Sequence, residues 1–374
     1  MAREGPFTRA ELIEVTGLSA PTVGTLASHL IRSGLLTELG AGPSRGGRRP
    51  ARMEFNAHHG FVAGIDLGPT RTHLGIADLR GELVTRRVVA TPQKKDPEAL
   101  LAALAGEVRA LMREVDVPLV RLLAVGAGAP GAVDPKRGMV VALAPNLKRW
   151  SQVPMATILR TALGARVVVE NDVNLAVLGE HWKGVARGHE NCAFLSFGTG
   201  IGAGIMVNGQ LHHGHQFLAG EIGLMCMGRQ YVETDFGSRG CLETLTGLGA
   251  LKAQWHGSTA ESSDWVAELC QAATSGDAEA RKVLGEAGTI LGMAAANICS
   301  MLDPSIVVLG GALVAHGDSV VAEVRRVVRR VIPTPPAIEV SSLAKEAPLW
   351  GSLLLATTEA RAHVRQQLAQ RRAG

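Results

Sequence analysis

The first 56 residues show the hydrophobic pattern of two short helices followed by two strands. Thr8 and Glu11 have the spacing of a capping box, in which each side chain closes a free backbone amide at the start of a helix. Gly17 ends this helix, because glycine turns there at little cost, and Ser19 caps the second helix. The pattern predicts a winged helix-turn-helix over residues 1–56. Such a domain normally begins with a further helix. We expect either that this helix is truncated here or that the true start of the protein lies upstream.

The second helix and the loop between the two strands carry the predicted DNA contacts. Small polar side chains on the outer face of the helix suit a close approach to base edges and phosphates. The loop is rich in glycine and arginine and contains no acid, as expected of a wing that lies along a phosphate backbone. The alternative is a helical hairpin followed by a basic linker. The predicted DNA-binding residues are Ser19, Thr22, Gly24, Thr25, Arg45, Arg48 and Arg49.

From Phe61 onwards the apolar pattern becomes that of a larger α/β unit. Three successive strands are followed by alternating helices and strands, and a similar order begins again near residue 193. We expect a glycine-rich loop over residues 198–204 and a helix over residues 286–301 in this second part. The repetition predicts a duplicated α/β body of two lobes around a cleft, over residues 57–374.

Composition excludes several classes of protein. The formal net charge of +4 is too small to indicate a nucleic-acid binder by itself. The five cysteines are scattered and do not indicate a disulfide framework. The N-terminal segment lacks the apolar stretch of a signal peptide, and no apolar run approaches the length of a membrane span. We therefore expect a cytoplasmic protein with no membrane partner.

Seven short motifs occur along the body in a fixed order: GIDLGPT, GAPG, VEND, FGTGIGAG, AGEIG, GCLE and LGG. In this order they resemble the ROK family, named for repressors, open reading frames and kinases. The resemblance implies an actin/hexokinase-like duplicated α/β body that binds a sugar. It extends to the head, because the repressors of this family carry a winged helix-turn-helix in the same position.

The resemblance also implies roles for single residues. Asp172 stands where a sugar kinase has the carboxylate that accepts the proton of the attacking hydroxyl. Pro69 stands where the kinases usually have a second glycine, and proline lacks an amide donor for a phosphate. The implied sugar-binding residues are Gly131, Asn171, Asp172, Glu221 and Glu243. The implied nucleotide- and phosphate-binding residues are Asp66, Gly68, Thr70, Gly198, Thr199, Gly200, Gly202, Gly310 and Gly311.

The zinc site implied by the resemblance is incomplete in this sequence. The family pattern is a histidine after Gly-Glu-x-Gly, followed by Cys-x-Cys-Gly-x-x-Gly-Cys, which gives a tetrahedral site. Leu224, Thr234 and Phe236 occupy three of the four ligand positions, and Cys241 alone remains. We therefore expect no bound zinc. ATP and Mg²⁺ are expected only if the protein is a kinase.

These features favour a DNA-binding transcriptional regulator of sugar metabolism, acting as a repressor. Its expected partners are a palindromic operator and a sugar or sugar-derivative effector, and the expected assembly is a homodimer or homotetramer. One alternative is an ATP-dependent hexose kinase with a vestigial head, which the retained Asp172 supports. Another is a regulator that has lost ligand sensing.

Replacing Arg45, Arg48 and Arg49 together with alanine is expected to weaken DNA binding. Each arginine that neutralises a phosphate releases a counterion, so the slope of log affinity against log salt should fall by about two to three units. A DNA shift assay over a range of salt concentrations measures this slope. Unchanged affinity and slope in the triple variant would contradict the predicted wing.

Overall fold

The structure is a computed structural model that describes residues 5–41, 51–92, 96–142, 150–237, 239–257 and 264–373. The predicted wing residues Arg45, Arg48 and Arg49 lie outside the described residues. Their contact with DNA therefore stays a prediction from the sequence. The other predicted site residues all lie within the described ranges.

The head contains the two helices and two strands that the hydrophobic pattern predicts. Its elements are β1 (Phe7–Thr8), α1 (Arg9–Thr16), α2 (Ala20–Arg32), β2 (Leu36–Ala41) and β3 (Ala51–Phe55). The strands form an antiparallel sheet in the order β1-β3-β2. The capping box is confirmed, because the Glu11 amide donates to Thr8 Oγ1 (3.2 Å) and the Thr8 amide donates to Glu11 Oε2 (2.7 Å). The pattern does not predict β1, since two residues are too few to reveal a period.

The first lobe is built around one five-stranded sheet. Its elements are β4 (Phe61–Leu67), β5 (Arg71–Asp78), β6 (Leu83–Ala90), α3 (Pro97–Glu114), β7 (Leu122–Ala129), β8 (Ala132–Asp134), β9 (Met139–Ala142), α4 (Met155–Leu163), β10 (Arg166–Asn171) and α5 (Asp172–Lys183). The strand order is β10-β7-β4-β5-β6, with β4, β7 and β10 parallel to one another and β5 and β6 antiparallel. Strand β4 is buried along its whole length, as its continuous apolar run requires.

The second lobe repeats this sheet strand for strand. Its elements are β11 (Cys192–Phe197), β12 (Ile201–Val207), β13 (Gln210–Leu211), α6 (Cys241–Thr246), α7 (Leu248–Gln254), α8 (Trp265–Ser275), α9 (Ala278–Leu302), β14 (Ile306–Gly310), α10 (Ala312–His316), α11 (Asp318–Val331), β15 (Ala337–Val340) and α12 (Ala347–Ala373). The strand order is β13-β12-β11-β14-β15. As in the first lobe, three strands in sequence order (β11, β12 and β13) pair antiparallel, and two further strands (β14 and β15) pair parallel beside β11. The predicted duplication of the α/β body is therefore confirmed.

The glycine-rich loop of the second lobe is shorter than predicted. The sequence predicts a loop over residues 198–204, but Ile201 already pairs with Phe197 in the β11–β12 ladder. Gly202 therefore lies in a strand, opposite Ser196, and not in a phosphate loop. Glycine in a strand can leave room for a close neighbour, and a Cβ at Gly202 would lie 3.3 Å from a valine side chain.

Helix α9 is longer than the predicted segment of residues 286–301. It begins at Ala278, because the Asp277 side chain accepts a hydrogen bond from the Ala280 amide (2.7 Å). The first turns of α9 are polar, so the hydrophobic pattern does not reveal where the helix begins. Among the described residues, α9 is the one helix long and apolar enough to cross a membrane. Since 61% of its most apolar window is buried inside the lobe, it is explained as a core helix.

Helices α5 and α12 cross at a distance that only glycine permits. A Cβ added at Gly351 of α12 would lie 2.0 Å from the Leu175 carbonyl oxygen of α5. A Cβ at Gly179 of α5 would lie 2.2 Å from the Ala347 carbonyl oxygen. A backbone oxygen cannot move aside as a flexible side chain can. The position of α5 is therefore set by direct contact with the backbone of α12.

The head is joined to the first lobe through a series of hydrogen bonds to backbone carbonyl groups. The Asn56 side-chain amide donates to the Gly34 carbonyl at the end of α2 (2.9 Å). The Leu79 amide then donates to the Ala57 carbonyl (3.1 Å), and Arg361 Nε of α12 donates to the Leu79 carbonyl (2.8 Å). Helix α12 therefore reaches from the α5 crossing to the base of the head.

Gly351→Ala is expected to destabilise the protein by about 1–3 kcal/mol, because the added Cβ overpacks against a backbone oxygen. The matched control is Gly285→Ala in α9, where no atom would lie within 4 Å of the new Cβ. This control should stabilise the protein by about 0.5–1 kcal/mol through helix propensity alone. Urea unfolding measures both free energies, and equal effects at the two positions would contradict the close crossing.

Candidate functional site

A cavity lies between the lobes, at the point where strand β10 ends and helix α5 begins. The predicted residues that line it are Gly131, Asn171, Asp172, Thr199, Gly200, Gly202, Glu221 and Glu243. A second cavity is lined by Gly310 and Gly311 and shares Asp172 with the first. The remaining predicted sugar- and phosphate-binding residues, which line neither cavity, are Asp66, Gly68, Thr70 and Gly198.

Asn171 holds the beginning of α5 in place. Its Oδ1 accepts hydrogen bonds from the amides of Val173 (2.9 Å) and Asn174 (3.0 Å). Its Nδ2 donates to the Gly131 carbonyl (3.0 Å), which leaves one amide proton for another partner. Asn171 therefore positions Asp172 and Gly131, and its direct contact with a sugar stays a prediction.

Asp172 lies in the first turn of α5 and faces both cavities. Its Oδ1 accepts a hydrogen bond from the Val173 amide (2.9 Å). Burial raises the pKa of Asp172 to about 6, even though this hydrogen bond works in the opposite direction. Above this pH the carboxylate is ionised and can accept a hydrogen bond, or a proton, from a sugar hydroxyl.

Three further carboxyl groups form an acidic cluster with Asp172. Burial, reinforced by the charge of Asp172, raises the pKa of Asp66 to about 8 and that of Glu221 to about 7. Burial also raises the pKa of Glu243, against the effect of a hydrogen bond from the Ile201 amide to its Oε2 (3.0 Å). Near neutral pH the acidic cluster carries both protons and charges. Asp172, Glu221 and Glu243 line the first cavity, so these three carboxyl groups can offer both donors and acceptors to a ligand there, whereas Asp66 lines neither cavity.

Glu170 and His213 support this site, although sequence reasoning did not select them. The buried Glu170 Oε1 accepts hydrogen bonds from the Asn171 amide (2.8 Å) and from Asn174 Nδ2 (3.0 Å). Glu170 Oε2 and His213 Nε2 are 2.8 Å apart, and this hydrogen bond raises the pKa of His213. The available signal was a glutamate at the end of an apolar strand. Its partner lies 43 positions away, so no local pattern connects the two residues.

The glycines of the candidate phosphate loops fall into two groups. A Cβ would lie 2.5 Å from a backbone oxygen at Gly68, 2.3 Å from an aromatic ring at Gly310 and 2.4 Å from a backbone oxygen at Gly311. Packing alone therefore explains these three glycines. At Gly198 and Gly200 the nearest atoms would be 3.6 and 3.5 Å away. Packing does not require glycine there, and the open space allows an anion to approach backbone amides.

The first phosphate loop fits a nucleotide phosphate poorly. It is a tight turn between β4 and β5, and its carbonyl groups are bonded by Thr91, which follows β6. The Thr91 amide donates to the Thr70 carbonyl (2.9 Å), and Thr91 Oγ1 donates to the Gly68 carbonyl (2.7 Å). Pro69 offers no amide donor in this turn. Burial and the charge of Asp172 raise the pKa of Asp66 to about 8, so a cation held by this carboxyl group would have to displace a proton near neutral pH. No step through ATP follows from this loop.

A model described as the ROK family matches residues 62–359. The chain belongs to the ROK family. A putative xylose repressor from Caldicellulosiruptor sp. (strain Rt8B.4) is 30% identical over 94% of this chain and 92% of its own length. The glucokinase of Streptomyces coelicolor is 31% identical, over 72% of this chain and 88% of its own length. The match with the repressor is longer than the ROK body, so it includes most of the head.

The solved ROK structures similar to this chain also include both a sugar kinase and a transcriptional regulator. The ROK hexokinase from Thermus thermophilus has a TM-score of 0.68 at 31% identity and covers 81% of this chain and 99% of that chain. A ROK family transcriptional regulator, described as a homolog of the E. coli MLC protein, has a TM-score of 0.78 at 23% identity. It covers 96% of this chain and 94% of that chain. The actin/hexokinase-like fold of the body is therefore confirmed.

The residues at the four zinc-ligand positions of the ROK pattern make other contacts in this protein. Leu224 is 43% exposed and lines the first cavity, and Thr234 is exposed. Phe236 packs edge-on against a tyrosine ring, and the buried Cys241 Sγ accepts a hydrogen bond from a backbone amide (3.4 Å). Within the described ranges, no group of three histidine, cysteine or acidic residues is placed to hold a metal ion. The absence of zinc stays a prediction.

Asp66→Asn is expected to stabilise the protein more at about pH 9 than at about pH 5. The pKa of Asp66 rises from 3.8 to about 8 on folding, so the folded state holds a proton that the unfolded chain has lost. Stability therefore falls as the pH rises through this range, and the neutral asparagine removes that loss. The difference between the two pH values should be at least about 1 kcal/mol in urea unfolding. Asp303→Asn, at an exposed position after α9, is the control. If the effect of Asp66→Asn on the free energy of unfolding does not depend on pH, the pKa of Asp66 is not raised by folding.

Proposed function

We propose that the protein is a cytoplasmic DNA-binding repressor of sugar metabolism, and that a sugar bound at Asp172 and Glu221 changes its affinity for DNA. One combination of features carries this proposal. A winged helix-turn-helix head is joined to a ROK body in which the sugar-site carboxylates are retained and the first phosphate loop is impaired. The matches with repressors over the head and body support the same function.

The outer face of α2 is suited to DNA. Val23 and Ala27 are buried against the rest of the head, whereas Ser19, Thr22 and Thr25 are exposed. Gly24 would have no atom within 4 Å of an added Cβ, so the backbone can approach a base pair closely there. The free amides at the start of α2 add a partial positive charge that favours a phosphate. These features support insertion of the beginning of α2 into the major groove of a palindromic operator by paired heads in a homodimer or homotetramer.

The effector follows from the relatives and from the cleft. The xylose repressors among the relatives are 27–30% identical to this chain, so D-xylose is the first sugar to test. The acidic cluster supports a neutral sugar over an anionic one, since an added negative charge would raise the electrostatic energy of the cleft. Arg239 also lines the cavity, and its charge partly opposes the rise that burial causes in the pKa of Glu243, but it faces several carboxyl groups.

Helices α5 and α12 offer a route from the sugar to the head. A sugar held by Asp172 at the beginning of α5 can shift the balance between open and closed lobes. Because α5 and α12 touch through their backbones, a displacement of α5 is passed on to α12. Arg361 of α12 donates a hydrogen bond to the Leu79 carbonyl, and the Leu79 amide donates to the Ala57 carbonyl at the base of the head. On this proposal sugar binding changes the spacing of paired heads.

A sugar kinase is the second candidate. The two cavities meet at Asp172, as a base between a sugar and a phosphate donor would require. The open surroundings of Gly198 and Gly200 also favour it. A kinase would nevertheless have to hold the phosphates without the first loop.

Asp172→Asn is expected to keep DNA binding and to lose the response to the inducing sugar. The substitution keeps the shape of the side chain and removes the charge that strengthens its hydrogen bonds to sugar hydroxyls. We expect sugar affinity to fall about 10- to 100-fold, which corresponds to roughly 1–3 kcal/mol. Calorimetry measures the sugar affinity, and a DNA shift assay with and without sugar measures the response.

The control for this experiment is Asp303→Asn, which removes a carboxylate outside the cleft and should behave as wild type in both assays. A coupled assay with ATP and hexoses distinguishes the kinase. If wild type phosphorylates a sugar and Asp172→Asn loses turnover by orders of magnitude, the kinase function replaces the repressor proposal. If Asp172→Asn responds to every sugar as wild type does, the cleft assignment is wrong.

A further inference from the structure

Phe217 adopts an unusual backbone conformation at the edge of the first cavity. Its φ angle is +61°, in the left-handed region that bulky side chains rarely occupy. The residue lines the first cavity together with Glu221 and Glu243. A bulky residue persists in such a conformation only where its surroundings determine it, and such residues cluster at ligand sites.

The loop that carries Phe217 is fixed at both ends. At one end, His213 Nε2 is 2.8 Å from the buried Glu170 Oε2. At the other, the Ala203 amide of β12 donates to the Gly220 carbonyl (2.7 Å). The Ala219 amide also donates to the His213 carbonyl (3.2 Å) and closes the loop on itself. These contacts hold the loop at the edge of the cavity and oppose relaxation of Phe217 into a more favourable conformation.

Leu224 adds a second large apolar group to the same cavity. It ends the short helical turn that follows Glu221, and 43% of its surface is exposed. Ile201 is the other large apolar residue of the second lobe in the lining, and it is only 4% exposed, so Phe217 and Leu224 present the main bulky apolar surface on that lobe. Apolar side chains in a ligand cavity favour apolar parts of the ligand, while the few polar groups set its orientation.

We infer that Phe217 and Leu224 form an apolar wall of the ligand cavity, and that the effector is a neutral sugar with a hydrocarbon edge that packs on this wall. The inference rests on the proposed sugar-binding function. The sugar carries hydrogen, methyl or methylene where D-glucose has a hydroxyl or hydroxymethyl group. A hydroxyl placed against the apolar wall would lose water without gaining a partner, which disfavours the fully hydroxylated hexose.

The test compares calorimetric affinities for D-glucose, D-xylose, 6-deoxy-D-glucose and 3-deoxy-D-glucose. Wild type is expected to bind at least one of the three sugars with fewer polar groups about ten-fold more tightly than D-glucose. Phe217→Gly removes the ring at a position whose left-handed backbone conformation glycine adopts without strain. Leu224→Asn replaces the second apolar group with a polar one of similar size. Each substitution should reduce this preference to less than about three-fold.

The matched control is Asn208→Gly, which places glycine at another left-handed position, with φ of +53°, in the turn between β12 and β13. It should keep the preference of wild type. If wild type binds the sugars without preference, or if both wall variants keep the preference, the apolar wall is wrong and the sugar-binding function stands. If wild type binds none of these sugars while its DNA head is active, both the inference and the proposed effector function are overturned. Leu224→Asn tests the wall alone if Phe217→Gly does not fold.

Discussion

The backbone contact between α5 and α12 is the constraint on which the rest of the molecule depends. Gly179 and Gly351 let the two helices approach until a carbonyl oxygen of each stands where a Cβ would be. This contact fixes the axis of α5, and the axis fixes Asp172 at its first turn. Because α12 also reaches the base of the head, one packing relation joins the candidate cleft and the head.

The same cleft explains why sugar recognition and phosphate transfer can separate in this fold. In the proposed function, sugar recognition depends on Asp172, whose position is set by the cap at Asn171 and by the buried Glu170. Phosphate transfer also needs amide donors in two loops, and Pro69 removes a donor from one of them. Gly68, Gly310 and Gly311 persist in either case, since the fold cannot accept a Cβ there. Glycine motifs therefore report the fold, whereas Asp172 and Pro69 bear on the function.

Local signals predicted the elements well wherever one element determines its own limits. The capping box at Thr8, the glycine that ends α1 and the strand triplets of both lobes all follow from neighbours in the chain. Prediction was weaker where an element is held by a distant partner. The two residues of β1 form a strand only because β3 pairs with them, and Ile201 belongs to β12 only because β11 lies beside it.

The sequence by itself determined the two-part organisation, the duplicated lobes and the positions of the acidic residues, because periodicity and short motifs are properties of neighbouring residues. Only the tertiary structure decided which side chains are free to meet a ligand. Asn171 is largely occupied by capping, Glu170 is paired with His213 from the other lobe, and Phe217 is held in a left-handed conformation at the cavity. The physical reason is that hydrogen-bond partners, burial and backbone strain depend on residues that are far apart in the chain and close in space.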